Sequence, residues 1–448
     1  MNKLSLFQLI FLGLAWTMPL VVFANYGIAS EAARGYLPAA YAIALLAMSL
    51  TAYSYGQMAK ALPEAGSAYG YASQAFHPRA GFIIGWTLLL DYLINPIVCC
   101  LLFSLYLQSV LPGVPFIVWV AAFIVLVSCI NYFGIRLSAA VSQYSVLIQL
   151  AVIVLFCVLS VSQVIHSSSG GGVSGFTAEP LFGSDMMASA VLSGAALLCF
   201  SFLGFDTVSI MSEDVEQPKR NIPRAMLIII LICGVVDITV AYLGQSVFPG
   251  YGYKEADTAS LELAFLVGGA LMKGLLVGSM IGAMFTGAVS SVASVSRLLY
   301  VMGRDGVLPR RIFGYMHPKR RTPTYNVLIV GAVCLLAAFI PLDTAVQFVN
   351  FGALTAFGCV NLCVIKYYLF GSRGIENRRW RSIGLFGVLP LAGFGAIVWL
   401  FGNLSGRAIV FGLVWLALGL LLMLSRAVRA QSAASAGRPV HGVRAVEQ

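Results

Sequence analysis

The stretch SGAALLCFSFLGFDTVSI, Ser193 to Ile210, is a membrane-length apolar run interrupted by a glycine, Gly204, and a carboxylate, Asp206. Apolar runs of about 18 to 25 residues are long enough to cross a bilayer as a helix. A carboxylate near the middle of such a helix costs at least a few kcal/mol unless it is paired or hydrated. The stretch predicts a transmembrane helix loosened by Gly194 and Gly204 that opens where Asp206 sits. GLAWTMPLVVFANYGI, Gly13 to Ile28, reads similarly, because Pro19 removes a backbone donor in mid-span.

Around these two stretches the chain holds twelve such runs, near 5–29, 37–60, 81–111, 114–133, 139–165, 187–211, 223–248, 262–300, 323–341, 345–369, 382–401 and 406–428. Of its 448 residues 60% are hydrophobic and 10% charged, with a mean hydropathy of +0.91. A soluble domain carries roughly a quarter charged residues. The fold class is therefore an all-α polytopic membrane protein. Lys3 before an apolar run resembles the start of a signal peptide. The run is too long for one, and no small-residue cleavage site is followed by a soluble domain, so it reads as a retained first helix.

The net charge of +10 is topogenic. With the N-terminus cytoplasmic, only Arg34, Lys254 and Arg407 fall in outside loops, and Lys273 lies near an outer helix end. Clusters such as Lys219-Arg220, Arg310-Arg311, Lys319-Arg320-Arg321 and Arg378-Arg379-Arg381 all alternate onto the other side. This is the positive-inside pattern; it places both termini in the cytoplasm and leaves no basic surface to assign to nucleic acid. The 9 Cys all lie in apolar spans, and Cys359 and Cys363, though at helical spacing, have no His or further Cys nearby to complete a metal site. The loop His166 to Phe176 reads as a flexible outside connection, and residues 429–448 as a disordered cytoplasmic tail.

The interrupted spans are the first and the sixth. Paired interruptions at matching places in two five-helix halves point to the central site of a secondary transporter, since broken backbone is tolerated at that depth only where it lines a cavity or is buried in protein. A proline kink in one span and glycine packing in the other is the plainer alternative.

The chain resembles the amino acid–polyamine–organocation transporter family along nearly its whole length. The motifs that carry the resemblance are LPEAGSAYGYA (Leu62 to Ala72), GWTLLLDYL (Gly85 to Leu93), FSFLGFDTVSIMSEDVEQPKRNIPRA (Phe200 to Ala225), SRLLYVMGRDGVLP (Ser296 to Pro309) and HPKRRTP (His317 to Pro323). The last three, with NFGAL (Asn350 to Leu354), are most similar to the bacterial putrescine importers. The resemblance implies a five-plus-five inverted repeat, at about 5–165 and 187–369, with two added helices at 382–428. It also implies unwound helices 1 and 6 and a substrate bound midway across a bacterial inner membrane.

The candidate substrate-binding residues are Thr17, Met18 and Pro19 in span one, Asp91, Tyr92 and Asn95 in span three, and Phe200, Ser201, Phe202, Gly204 and Asp206 in span six. Asp206 could meet a substrate ammonium, serve as a proton-sensitive gate beneath it, or cap the second half of its helix. By resemblance its position matches an acid beneath the site, and Phe200 an aromatic that closes over substrate. Asp91 and Asn95 lie one helical turn apart beside Tyr92, so an acid, an amide and a phenol together can select an amine; alternatively Asp91 holds a neighbouring helix. Glu213, Arg304 and Asp305 are candidate gate groups. Ser290 and Ser291 resemble half of a sodium site, and small-residue packing accounts for them equally well.

Two departures from the family pattern matter. Ala24 stands where putrescine importers carry an acid, which leaves room for a substrate with one amine. Gln149 stands where some proton-coupled members carry a lysine, and glutamine does not titrate. The sequence has no HExxH, nucleophile elbow or P-loop, so neither an enzyme, a cofactor nor an ATP-driven pump is expected. A channel would need repeated filter residues. The expected function is import of small amine-bearing metabolites, polyamines or amino acids, coupled to protons, with sodium coupling or exchange as alternatives.

Overall fold

The computed structural model describes residues 3–63, 67–111, 113–133, 135–169, 176–253, 259–318, 320, 322–340, 342–370, 380–404 and 406–435. The Gly-rich loop at 170–175, Lys254, Lys319, Arg321, Arg378, Arg379 and the chain after 435 lie outside them. The described residues are mostly helical and include no strand; one parallel bridge joins Leu4 to Val215.

Among the described residues, eleven helices are long and apolar enough to cross a membrane. They are α1 (Leu6–Ala24), α2 (Leu37–Ala61), α3 (Pro78–Leu105), α4 (Phe116–Phe133), α5 (Ala139–His166), α6 (Ala188–Ser209), α7 (Pro218–Val247), α8 (Ala259–Arg304), α10 (Phe348–Leu369), α11 (Gly384–Gly402) and α12 (Gly406–Leu424). The remaining expected span, α9, is shorter, Thr324–Ala338, and its last turn is a 3₁₀ turn. Local chemistry sets several starts. Ser5 and Gln8 form a reciprocal capping box at α1, and Pro78 and Pro218 occupy first turns, where a missing N–H costs nothing. α8 bends at Gly268–Gly269, where Gly269 has a φ of 63°. The last helix continues to Ser435, past the boundary expected near 428.

The share of each span that is buried separates centre from periphery: 78% for α1 and 72% for α3, against 22% for α4 and α11 and 17% for α12. The exposed apolar side chains of α12, such as Leu413 and Leu421, form a surface that lipid solvates at no cost.

The packing follows a five-helix offset. α1 packs on α7 as α6 packs on α2, and α3 on α10 as α8 on α5; the α2–α7 and α3–α8 contacts map onto themselves. Five is odd, so a second copy of a five-span unit starts from the opposite face of the membrane. That is the inverted repeat.

Both expected interruptions are present. α1 stops at Thr17, Met18 turns into the left-handed region with a φ of 50°, and helix resumes at Val21. α6 leaves α-geometry after Leu198, runs as a 3₁₀ turn over Cys199–Phe202, extends at Leu203, turns left-handed at Gly204 (φ 108°) and continues as 3₁₀ over Phe205–Ser209. Gly194 differs from expectation. It lies within the regular part of α6, where a Cβ would sit 2.7 Å from the Cβ of Ala33, so it is a packing glycine and not part of the break.

Candidate functional site

The two breaks touch. A Cβ on Gly204 would overlap the indole of Trp16, one residue before the end of the first part of α1. α8 closes a third side: a Cβ on Gly287 would come within 2.8 Å of Met18 Sδ, and Ser290 Oγ donates to the Leu12 carbonyl at 2.7 Å. Met18 is not glycine, and a left-handed L-residue costs about 1–2 kcal/mol. It is held there by its N–H donating to Leu14 O at 2.9 Å and by its own carbonyl accepting from Val21 N–H at 2.7 Å. Strain of this kind persists where the surrounding structure over-determines it.

Asp206 is only 1% exposed. Tyr92 of α3 donates its hydroxyl to Asp206 Oδ2 at 2.5 Å, and the Tyr92 ring stands edge-on to Trp16 with centroids 5.0 Å apart. The carboxyl lies by the backbone N–H groups of Gly204 and Asp206 itself, and its Oδ1 makes no hydrogen bond. Hydroxyls stabilise the 3₁₀ turn: Thr207 Oγ1 donates to Gly204 O and Ser209 Oγ to Asp206 O, both at 2.7 Å. An aromatic cluster of Tyr55, Tyr71, Phe205 and Phe357 adjoins it, the Tyr55 ring lying 5.6 Å from Phe205 and 5.7 Å from Phe357.

Asp91 and Asn95 are buried as the spacing predicts. Asp91 Oδ1 and Asn95 Nδ2 have no partner, so no hydrogen bond joins them through these atoms, and the backbone of α10 presses on Asp91 through Gly352. Phe202 is fully buried, while Phe200 is only partly so. Ser201 Oγ lies 3.5 Å from Tyr41 OH. Of the candidate sodium pair, Ser291 Oγ donates within α8 to Ala288 O at 3.2 Å, and Ser290 has the bond to α1 already described. Gln149 Nε2 donates to Ser145 Oγ, which lies 2.9 Å from Thr286 Oγ1, so α5 and α8 are linked by neutral groups where some family members place a lysine.

Several ion pairs and hydrogen bonds gather at the end of the bundle that carries the basic loops. Arg304 pairs with Glu213 and also with Asp305, whose other oxygen accepts from Tyr69 OH at 3.1 Å. Burial, and then the adjoining Asp305 carboxylate, push the Tyr69 phenol above its ordinary range, so it remains a donor. Arg297 of α8 reaches Asp214 at 2.7 Å. Leu4 N–H donates to Asp214 O, and Leu4 O accepts from Glu216 N–H, which ties the start of α1 to the segment after α6. A cavity of about 680 Å³, lined in part by Lys3, Ser212, Glu213, Lys219 and Arg304, opens at this end.

The sequence reading passed over Trp16 and Arg297. Arg297 carried a legible signal, being a charged residue in an apolar helix. Its side chain is 9% exposed and that of Asp214 24%, so removing one partner strands the other in poor solvent. Arg297→Gln is expected to lower stability by on the order of 3 kcal/mol. A thermal unfolding scan in detergent checks this; an unchanged midpoint would show the pair to be dispensable.

The amino acid permease family profile matches residues 7–418. The low-affinity putrescine importer PlaP of Escherichia coli (strain K12) is 38% identical over 426 residues, spanning 94% of this chain and 93% of its own length. The methylthioribose transporter of Bacillus subtilis (strain 168) is 28% identical over 441 residues, and the branched-chain amino acid permease BcaP of the same organism 28% over 446; both alignments span 94% of this chain and 92% of the relative.

Proposed function

This chain belongs to the amino acid permease family, and on that premise we propose that it imports small amine-bearing metabolites by alternating access, driven by protons, across a bacterial cytoplasmic membrane. The single observation that carries the reading is the contact between two broken helices at a buried carboxylate, Trp16 against Gly204 with Asp206 two residues on. Substrate binds between α1, α3, α6 and α8. The backbone at Thr17 to Pro19 and Phe200 to Gly204 supplies polar groups, Asp206 and Asp91 supply charge, and Phe200 closes the site.

The basic-loop end faces the cytoplasm, as the positive-inside distribution favours. In this conformation the Arg304–Glu213 and Arg297–Asp214 pairs hold that end closed, and rocking of one repeat against the other opens it.

The relatives are named for putrescine, methylthioribose and branched-chain amino acids. Ala24, partly buried at the end of the resumed part of α1, removes one acid from the putrescine importer pattern, which favours a substrate with one amine. Uptake of labelled putrescine and of labelled neutral amino acids into proteoliposomes, each with and without an inward proton gradient, separates the readings. Saturable, gradient-stimulated uptake of either supports the proposal. Uptake of amino acids alone removes putrescine, and uptake that needs only internal substrate makes the protein an exchanger.

Tyr92→Phe keeps the ring against Trp16 and deletes the donor to Asp206. A hydrogen bond to a charged group contributes about 1.5–3 kcal/mol, so the substrate concentration at half-maximal uptake should change at least about tenfold. An unchanged value would separate Tyr92 from the binding step.

A further inference from the structure

Asp237 of α7 is 1% exposed, and neither Oδ1 nor Oδ2 has a hydrogen-bond partner. Buried polar side-chain atoms are nearly always bonded, so a carboxyl with both oxygens bare stands out. An ionised carboxylate in that setting costs several kcal/mol.

Its surroundings connect it to both breaks. Cys233, one turn earlier on the same face of α7, lies 3.4 Å from Thr17 Oγ1, at the last residue before the break in α1. Tyr41 of α2 faces the carboxyl, and its hydroxyl lies 3.5 Å from Ser201 Oγ in the 3₁₀ segment of α6. α7 is pressed against α2 here, since a Cβ on Gly234 would crowd Leu45. Among the described residues, the titratable groups that interact electrostatically with Asp237 are Tyr41 from α2 and Cys233 from α7 itself. α1 and α6 bring only neutral hydroxyls to the cluster, and among the described residues no Lys, Arg or His interacts with the carboxyl.

We propose that Asp237 is the group that carries the coupling proton, while the substrate's charge is met separately at Asp206. The proposal rests on the proton-driven reading given above. The two carboxyls differ in the way this division requires. Asp206 accepts a hydrogen bond from Tyr92 at 2.5 Å, whereas neither oxygen of Asp237 has a donor. The bundle closes around Asp237 only with the proton on. When α1 and α6 rearrange, water and the hydroxyls of Thr17 and Ser201 reach the carboxyl and it releases the proton. The step is one proton bound from one side and the same proton lost to the other, with no bond to carbon changed.

The test uses the full chain in proteoliposomes with a trapped pH dye and labelled putrescine or a labelled neutral amino acid. In the wild type, substrate entry acidifies the lumen. In Asp237→Asn, lumen acidification should fall at least about tenfold and uphill accumulation should vanish, while counterflow of labelled against unlabelled substrate stays within about threefold. Asp237→Glu should recover part of the acidification. Asp237→Asn that still acidifies the lumen overturns the proposal, as does a monodisperse Asp237→Asn protein without counterflow. Failure of Asp237→Asn to fold also overturns it, because a neutral isostere fits a site that holds a neutral acid. Wild-type uptake without acidification instead brings down the proton-driven reading itself, a result distinct from the other three.

Discussion

Asp206→Asn is expected to reduce uptake by at least about a hundredfold with little change in folding. Asparagine keeps the volume of the side chain, and its amide oxygen can still accept from Tyr92 OH, now 2.5 Å from Asp206 Oδ2. What disappears is the charge in a site that is 1% exposed. A buried ion pair that loses one partner costs about 3–5 kcal/mol, and each 1.36 kcal/mol is tenfold in an equilibrium or a rate. Uptake by the purified variant, alongside a thermal unfolding scan, separates the two roles Asp206 could have. Lost uptake with an unchanged melting temperature makes it a transport residue. Retained uptake with lowered stability makes it a cap on the 3₁₀ segment and removes it from the substrate path.

Gly204→Ala is expected to be the most damaging substitution that adds only one carbon. The position has a φ of 108°, where an L-residue is strained by about 1–2 kcal/mol, and the new methyl meets the Trp16 ring. Overpacking of that kind adds about 1–3 kcal/mol. The two costs fall on the contact between the breaks, so yield and uptake should both collapse. Pairing the change with Trp16→Ala removes the overlap and leaves the dihedral strain. Partial recovery in the double variant would apportion the two, and wild-type behaviour of Gly204→Ala alone would mean that the breaks do not need to touch. Gly194→Ala is the control. Its site is a regular helix where Ala33 is the neighbour, so the loss should be smaller.

The comparison of Gly204 with Gly194 also shows how far sequence could go. Hydropathy and length located the membrane spans, because the bilayer imposes a length on each. Pro19 and Asp206 flagged the interruptions, since each violates a local rule of the membrane interior. Gly194 and Gly204, ten residues apart, look alike as letters; only the partner helix decides which one bends and which one packs. Trp16 was unreadable for the same reason, being one more aromatic until Gly204 is placed against it. Asp237 was visible as a charge in an apolar run, but its lack of any partner is a property of the neighbours, α1, α2 and α6 together. The span at α9 ends at Ala338, short of the expected 341, after a last 3₁₀ turn over Leu335–Ala338 that composition does not signal.

The bridge at Leu4 has a mechanical consequence. Its two backbone hydrogen bonds, 2.7 Å from Leu4 N–H to Asp214 O and 3.0 Å from Glu216 N–H to Leu4 O, yoke the starting segment of one discontinuous helix to the trailing segment of the other. Because the yoke is main chain to main chain, side-chain substitutions other than proline keep its donors and acceptors. Any movement that parts these two segments must break both bonds, so a rearrangement that keeps them carries the two half-helices together.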